Sequence, residues 1–216
     1  DPNGFLDQFK GKPVMLDEIQ YVADILPYIK MRIDASRQDN GKWVLTGSQQ
    51  FALMQNISES LAGRIALLEL LPFNQEELRH AFDKLADYVW TGTYPEPALQ
   101  PAKRDLWISS YIQTYLERDI RLLHNVQDLH AFELFVATCA ARHGQTFNKA
   151  DVAREIGIAE PTVKAWGSLL SASYITHLLP PYFRNYSKRL IKSPKLYFID
   201  SSLVCALTRQ PDAQSA

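Results

Sequence analysis

An α/β fold followed by a mainly helical second half is what this sequence predicts, and three observations predict it. Short apolar runs at Pro13–Leu16, Trp43–Thr46 and Ile65–Leu71 are too brief for helices and alternate with helically spaced segments. That alternation is the pattern of parallel strands with crossover helices. From Gln75 the apolar period turns helical, and the last third sets a helix-turn-helix pattern beside two further strand-like runs.

In chain order, the turn at Gly11-Lys12 leads into the strand Pro13–Leu16. Val22, Ile25, Leu26, Ile29 and Ile33 then recur at 3 and 4 spacing, one face of a helix. Pro27 falls in its first turn, where a missing N–H does no harm. Asp39-Asn40-Gly41 is a turn signal before the strand Trp43–Thr46, which ends at Gly47-Ser48. Helical material over Phe51–Leu61 precedes the third run, Ile65–Leu71. Beyond an interruption at Trp90–Pro97, a long helix is expected from Arg104 to about Leu123.

From Leu129 the pattern predicts three helices and two strands. Asn148 caps a helix running through Arg154, with Asp151 at its third position and Gly157 at its left-handed end. Pro161 opens the next helix. Tyr174–Leu179 and Leu196–Ile199 would be the strands of a wing, making the pair of helices a winged helix. The expected domains are a partial α/β core over 1–80, a helical lid or linker over 81–126 and a winged-helix domain over 127–216.

The 216 residues suffice for one or two cores, and 46% apolar with 22% charged residues is ordinary globular composition. A net charge of −1 excludes a global field toward nucleic acid or membrane, so any such attraction must be local. Cys139 and Cys205 have neither metal nor redox spacing, and the sequence shows no signal peptide or bilayer-length apolar run; a cytoplasmic setting without a membrane partner is expected. His124, His130, His143 and His177 lack acidic or cysteine neighbours at ligand spacing, so no zinc site is expected.

The chemistry concentrates at Asp17 and Glu18, where an apolar strand ends. Adjacent side chains at a strand's carboxyl end point to opposite faces. One carboxylate can then hold a magnesium-bound water while the other reaches toward an attacking water, as in P-loop nucleotide hydrolases. The alternative is a helix N-terminus, where acids complement the dipole. Ser48, at the tip of the next strand, could sense a γ-phosphate or simply close a Thr-Gly-Ser turn, and Arg64, ahead of the third, could neutralise charge on a transferring phosphoryl group or be a surface arginine after a Gly turn. No Gly-rich loop closing in Gly-Lys-Ser/Thr precedes Asp17: Gly11-Lys12 is followed by Pro13, and Gly4 lies too far upstream.

A second candidate lies between the predicted wing strands. Arg184, Lys188, Arg189, Lys192 and Lys195 are interleaved with Tyr182, Phe183 and Tyr186 and with no acid, a patch suited to phosphates. Thr162 and Lys164 would sit on the exposed side of the second helix of the pair. Winged helices serve equally as protein-docking modules, and that alternative stays open. Arg118 and Asp119 read as an ion pair in an aromatic stretch.

VMLDEIQ from Val14, LTGSQQF from Leu45, SLAGR from Ser60 and LLPFNQEE from Leu70 resemble the prokaryotic AAA-type ATPases that carry a C-terminal domain of unknown function. TYPEPAL from Thr93, YIQTYLERDI from Tyr111 and KSPKLYFIDSSL from Lys192 extend the resemblance over nearly the whole chain. It implies ATP and Mg2+ as cofactors, Asp17 as the magnesium-coordinating Walker B acid, Glu18 as general base, Ser48 as a sensor and Arg64 as a trans-acting or sensor arginine. The sequence departs from the family in lacking the phosphate-binding loop and in having Thr93 where glycine is usual. It also stops before a final nuclease-like segment, so both ends read as cut. The expected function is an ATPase coupled to a winged helix, inactive in this fragment alone. The alternative is a nucleic-acid-binding or protein-docking module on a non-catalytic ATPase remnant, with nucleic acid, a protein or a second copy as partner.

Overall fold

The computed structural model describes residues 1–47, 61–115, 128–182 and 193–215. Two compact units divide the chain, Asp1–Glu69 and Leu70–Ala216.

The first unit opens with helix α1, Pro2–Asp7, whose N-terminus is capped by the Asp1 carboxylate accepting from the Asn3 N–H at 2.9 Å. Strands β1, Val14–Leu16, and β2, Trp43–Leu45, pair in parallel with Val14 opposite Trp43 and Leu16 opposite Leu45. Strand alternation sends Met15 and Val44, register partners, to a face where they remain 66% and 49% exposed. Leu16, Trp43 and Leu45 turn the other way and pack on the core of Leu6, Ile19, Ile25, Leu26, Ile29 and Leu61. Helix α2 is Leu26–Ala35, with Pro27 in its first turn. It does not begin at Val22 as the spacing suggests: Val22 is non-helical at φ −134°, ψ 45° and points to solvent, and a 3-10 segment over Ile19–Ile25 precedes α2. Arg32 of α2 fastens α1 by donating to the Asn3 side chain at 2.9 Å and pairing with Asp7 at 2.7 Å.

The third expected strand, Ile65–Leu71, is not one. The described parallel sheet holds β1 and β2, and residues 65–71 are irregular. Leu68 and Leu70 are 94% and 101% exposed. Apolar content alone does not make a strand; the backbone needs a hydrogen-bonded neighbour. The expected helix over Phe51–Leu61 lies almost wholly outside the described residues.

In the second unit, α3 (Leu85–Thr91), α4 (Pro95–Leu99) and α5 (Arg104–Tyr111) come first. Beyond α5 the helix widens into a π-type turn over 112–115, and Arg118 and Asp119 lie outside the described residues. Four aromatic rings line this stretch: Tyr94 lies 5.0 Å from Trp107, which stacks on Tyr111 at 5.0 Å, and Tyr115 follows at 5.1 Å. Burial first, with the Tyr111 hydroxyl next, pushes the Tyr94 hydroxyl far above its ordinary range, so it stays neutral.

Next come α6 (Leu129–Ala141), α7 (Lys149–Ile156) and α8 (Glu160–Ala172), then β3 (Thr176–Leu179), β4 (Lys195–Phe198) and α9 (Ser201–Leu207). Local chemistry sets the α7–α8 pair as the sequence predicts. The Asn148 side chain accepts from the N–H groups of Ala150 and Asp151, Gly157 ends α7 at φ 81°, and Pro161 stands in the first turn of α8. Strands β3 and β4 are antiparallel, with Thr176 opposite Phe198 and Leu179 opposite Lys195. Residues 144–147 line the other edge of β4 through Gly144 N to Leu196 O at 2.7 Å and Phe147 N to Pro194 O at 2.8 Å. The core gathers Phe132, Phe135, Phe147, Val163, Leu170 and Ile175, and Trp166 meets Phe132 edge-on at 5.3 Å. His143 accepts from the Phe198 N–H at 3.1 Å, and burial lowers its pKa, which keeps the ring a neutral acceptor.

A buried polar clasp closes this unit. Asp200, 1% exposed, accepts at Oδ2 from Thr93 N (2.6 Å), Thr93 Oγ1 (2.9 Å) and Tyr94 N (3.2 Å). Its Oδ1 accepts from Ser202 N at 2.8 Å and from the Ser202 hydroxyl, so the same carboxylate caps α9. Gly92 sits against it at φ 77°, ψ −167°, a region that is essentially glycine's, and a Cβ there would collide with Asp200 Oδ1. The Arg104 guanidinium, 3.7 Å over the Trp90 ring, donates to the carbonyls of Trp90 and Ser202. Among the described residues no helix is long and apolar enough to cross a membrane.

Candidate functional site

The parallel ladder decides what stands at its carboxyl end. Thr46 N donates to Leu16 O at 2.9 Å and Ile19 N to Thr46 O at 3.1 Å, so the chain beyond β1 is tied to the chain beyond β2. Asp17 and Thr46 follow register partners and meet: the Thr46 hydroxyl donates to Asp17 Oδ1. Asp17 is exposed and Glu18 half-buried.

Glu18 is not oriented by strand alternation. Its backbone is left-handed, φ 52°, ψ 42°, two residues past the end of β1 and at the N-cap of the 3-10 segment. Its side chain makes no capping bond; the carboxylate accepts instead from Gln20 Nε2. Glu18 thus meets Gln20 through a left-handed turn, not through the pleat of a strand.

Arg64 is gripped elsewhere. Its guanidinium forms a two-pronged pair with Asp34 of α2, Nε to Oδ1 at 2.8 Å and Nη2 to Oδ2 at 3.1 Å, and donates to the Ala62 carbonyl. That hydrogen bond, ahead of a smaller one from Arg37, holds the Asp34 carboxyl below its ordinary value. The structure therefore brings Asp17, Glu18, Thr46 and Gln20 together and gives Arg64 a different partner. Ser48 lies outside the described residues.

In the second unit, Thr162 is half-buried and Lys164 exposed on α8. Neighbouring cations carry acidic partners: Arg154 pairs with Asp151 at 3.3 Å and Arg142 with Glu155 at 2.5 Å. Arg184, Lys188, Arg189 and Lys192 lie outside the described residues.

Thr46, Gln20 and Asp34 escaped the sequence reading. Thr46 had a signal, since it stands one residue past β2 just as Asp17 stands one past β1. Asp34 had none, because its pairing with Arg64 spans 30 positions.

Residues 82–214, more than half the chain, match the family model described as a domain of unknown function, DUF8612. The chain belongs to this family. In it the DUF8612 domain follows an AAA domain, whose model matches residues 1–79. Uncharacterised proteins of Mycobacterium bovis and Mycobacterium tuberculosis are each 30% identical to this DUF8612 chain over 194 residues. That match covers 88% of the chain and 43% of each relative, so the chain spans less than half the length of these curated proteins. No solved structure matches it.

Proposed function

We propose that this DUF8612 protein binds and hydrolyses ATP through its AAA domain and couples the cycle to a winged helix in its second unit. The observation that carries the first part is the pairing of Asp17 and Glu18 at the end of a parallel strand, with Thr46 beside Asp17. Hard oxygen donors at that point suit Mg2+, which keeps several waters and takes few carboxylates. Asp17 would hold the ion, with Thr46 fixing the carboxylate; when bound, the ion offsets negative charge on the phosphates.

Glu18 accepts a proton from the water that attacks the γ-phosphorus, while the bond from that phosphorus to the bridging oxygen breaks and ADP leaves with the electron pair. Ser48 senses the γ-phosphate. Arg64 reaches a phosphoryl group of its own or a neighbouring subunit by exchanging Asp34 for it, as arginine forks do between carboxylate and phosphate. This reading requires the full-length protein to supply a phosphate-binding loop. Steady-state turnover of ATP by that protein, dependent on magnesium and reduced in Asp17→Asn, is the expected result. An absence of turnover in the wild type would sink the reading.

The winged helix rests on the order α6, the 144–147 edge, α7, α8, β3, β4, in which a helix-turn-helix is backed by an antiparallel hairpin. We read its face as binding nucleic acid, with Thr162 and Lys164 on α8 and Arg184, Lys188, Arg189 and Lys192 in the connection between β3 and β4. Duplex DNA should bind in a salt-dependent way that weakens when Lys188 and Arg189 become alanine. Binding that ignores that double replacement would overturn the assignment of the wing as the nucleic-acid contact.

A further inference from the structure

We infer that Gln20 is a positioning residue for the Glu18 carboxylate, an assignment that rests on the hydrolytic reading of this site. A general base works through the direction of its lone pairs as much as through its pKa. In an ordinary strand the pleat would supply that direction. Here β1 has ended, Glu18 is left-handed, and its side chain makes no capping bond. The amide of Gln20 engages the carboxylate, with Nε2 donating to Glu18 Oε2. Fixing one oxygen fixes the carboxylate plane, and with it the line along which a proton from water is received.

The other end of the same amide argues that stability alone does not account for the arrangement. Among the described residues Gln20 Oε1 is buried and has no hydrogen-bond partner. Burying an acceptor unpaired is unfavourable, and an apolar side chain of similar length would avoid it. Turning the amide over would give Oε1 no relief, because it would then face a carboxylate, acceptor against acceptor. The donor end is thus held in one sense while the acceptor end goes unsatisfied. A buried polar atom left unpaired is uncommon and calls for an explanation in function.

Gln20→Met in the full-length protein separates this role from a structural one. It keeps length and apolar stem, deletes the donor to Glu18 and removes the unpaired acceptor. The melting temperature should hold or rise. The kcat for ATP should fall about 10–100-fold, the range for groups that orient a reacting ligand, while KM stays within about twofold. A variant with wild-type kcat would overturn the inference and leave the ATPase reading standing. A lowered melting temperature with raised KM would make Gln20 a structural residue and overturn it equally. A wild type without turnover would remove both.

Discussion

Asp200→Ala is expected to destabilise the second unit by about 4 kcal/mol or more, a large part of the roughly 5–15 kcal/mol that holds a domain folded. The reason is what the substitution leaves behind. Three backbone N–H groups, from Thr93, Tyr94 and Ser202, and two hydroxyls lose their acceptor at once, in a place that is 1% exposed. Each buried donor left unpaired costs about 1–3 kcal/mol. Asp200→Asn should lie between: one oxygen can still serve the Thr93 side, and the new NH2 then faces the Ser202 donors. Chemical denaturation of the three proteins would read this directly. A loss below about 1 kcal/mol for the alanine variant would mean that the clasp is incidental.

Glu18→Gln should lower kcat about 10²–10⁴-fold and leave ATP bound, since the amide keeps the shape of the side chain and loses the capacity to take a proton. Single-turnover measurements on the full-length protein would show nucleotide retained as ATP, not ADP. The amide introduced by Glu18→Gln would also meet the Gln20 Nε2 donor with its own carbonyl oxygen, so the local geometry survives the exchange. Hydrolysis within about twofold of wild type would assign the proton to another group.

What could be read from residue order was whatever local chemistry decides. The Asn148 cap, the left-handed Gly157 and Pro161 in a first turn mark helix ends through contacts a few residues long, and β1 and β2 announce themselves as apolar runs closed by turns. The reading failed where a distant partner decides. Ile65–Leu71 has strand composition, yet pairing is a property of two segments. Val22 kept the helical spacing and still fell on a non-helical kink. At the candidate site the two carboxylates were legible as a pair at a strand end, but the left-handed turn at Glu18 and the amide that meets it were not. In Asp200 the sequence offered one acid in an otherwise apolar and hydroxyl-bearing string, with nothing nearby to show that it is buried.

The clasp also sets the timing of folding. The carboxylate that closes the Thr93 turn is made 107 residues after it. A chain growing at about 5–20 residues per second therefore leaves the Thr93 and Tyr94 amides without their acceptor for roughly 5–20 s during synthesis. The Thr93 turn therefore gains this acceptor only after the segment that carries Asp200 has left the ribosome. Contacts this long in sequence slow folding, because the loop between their ends must close before they form.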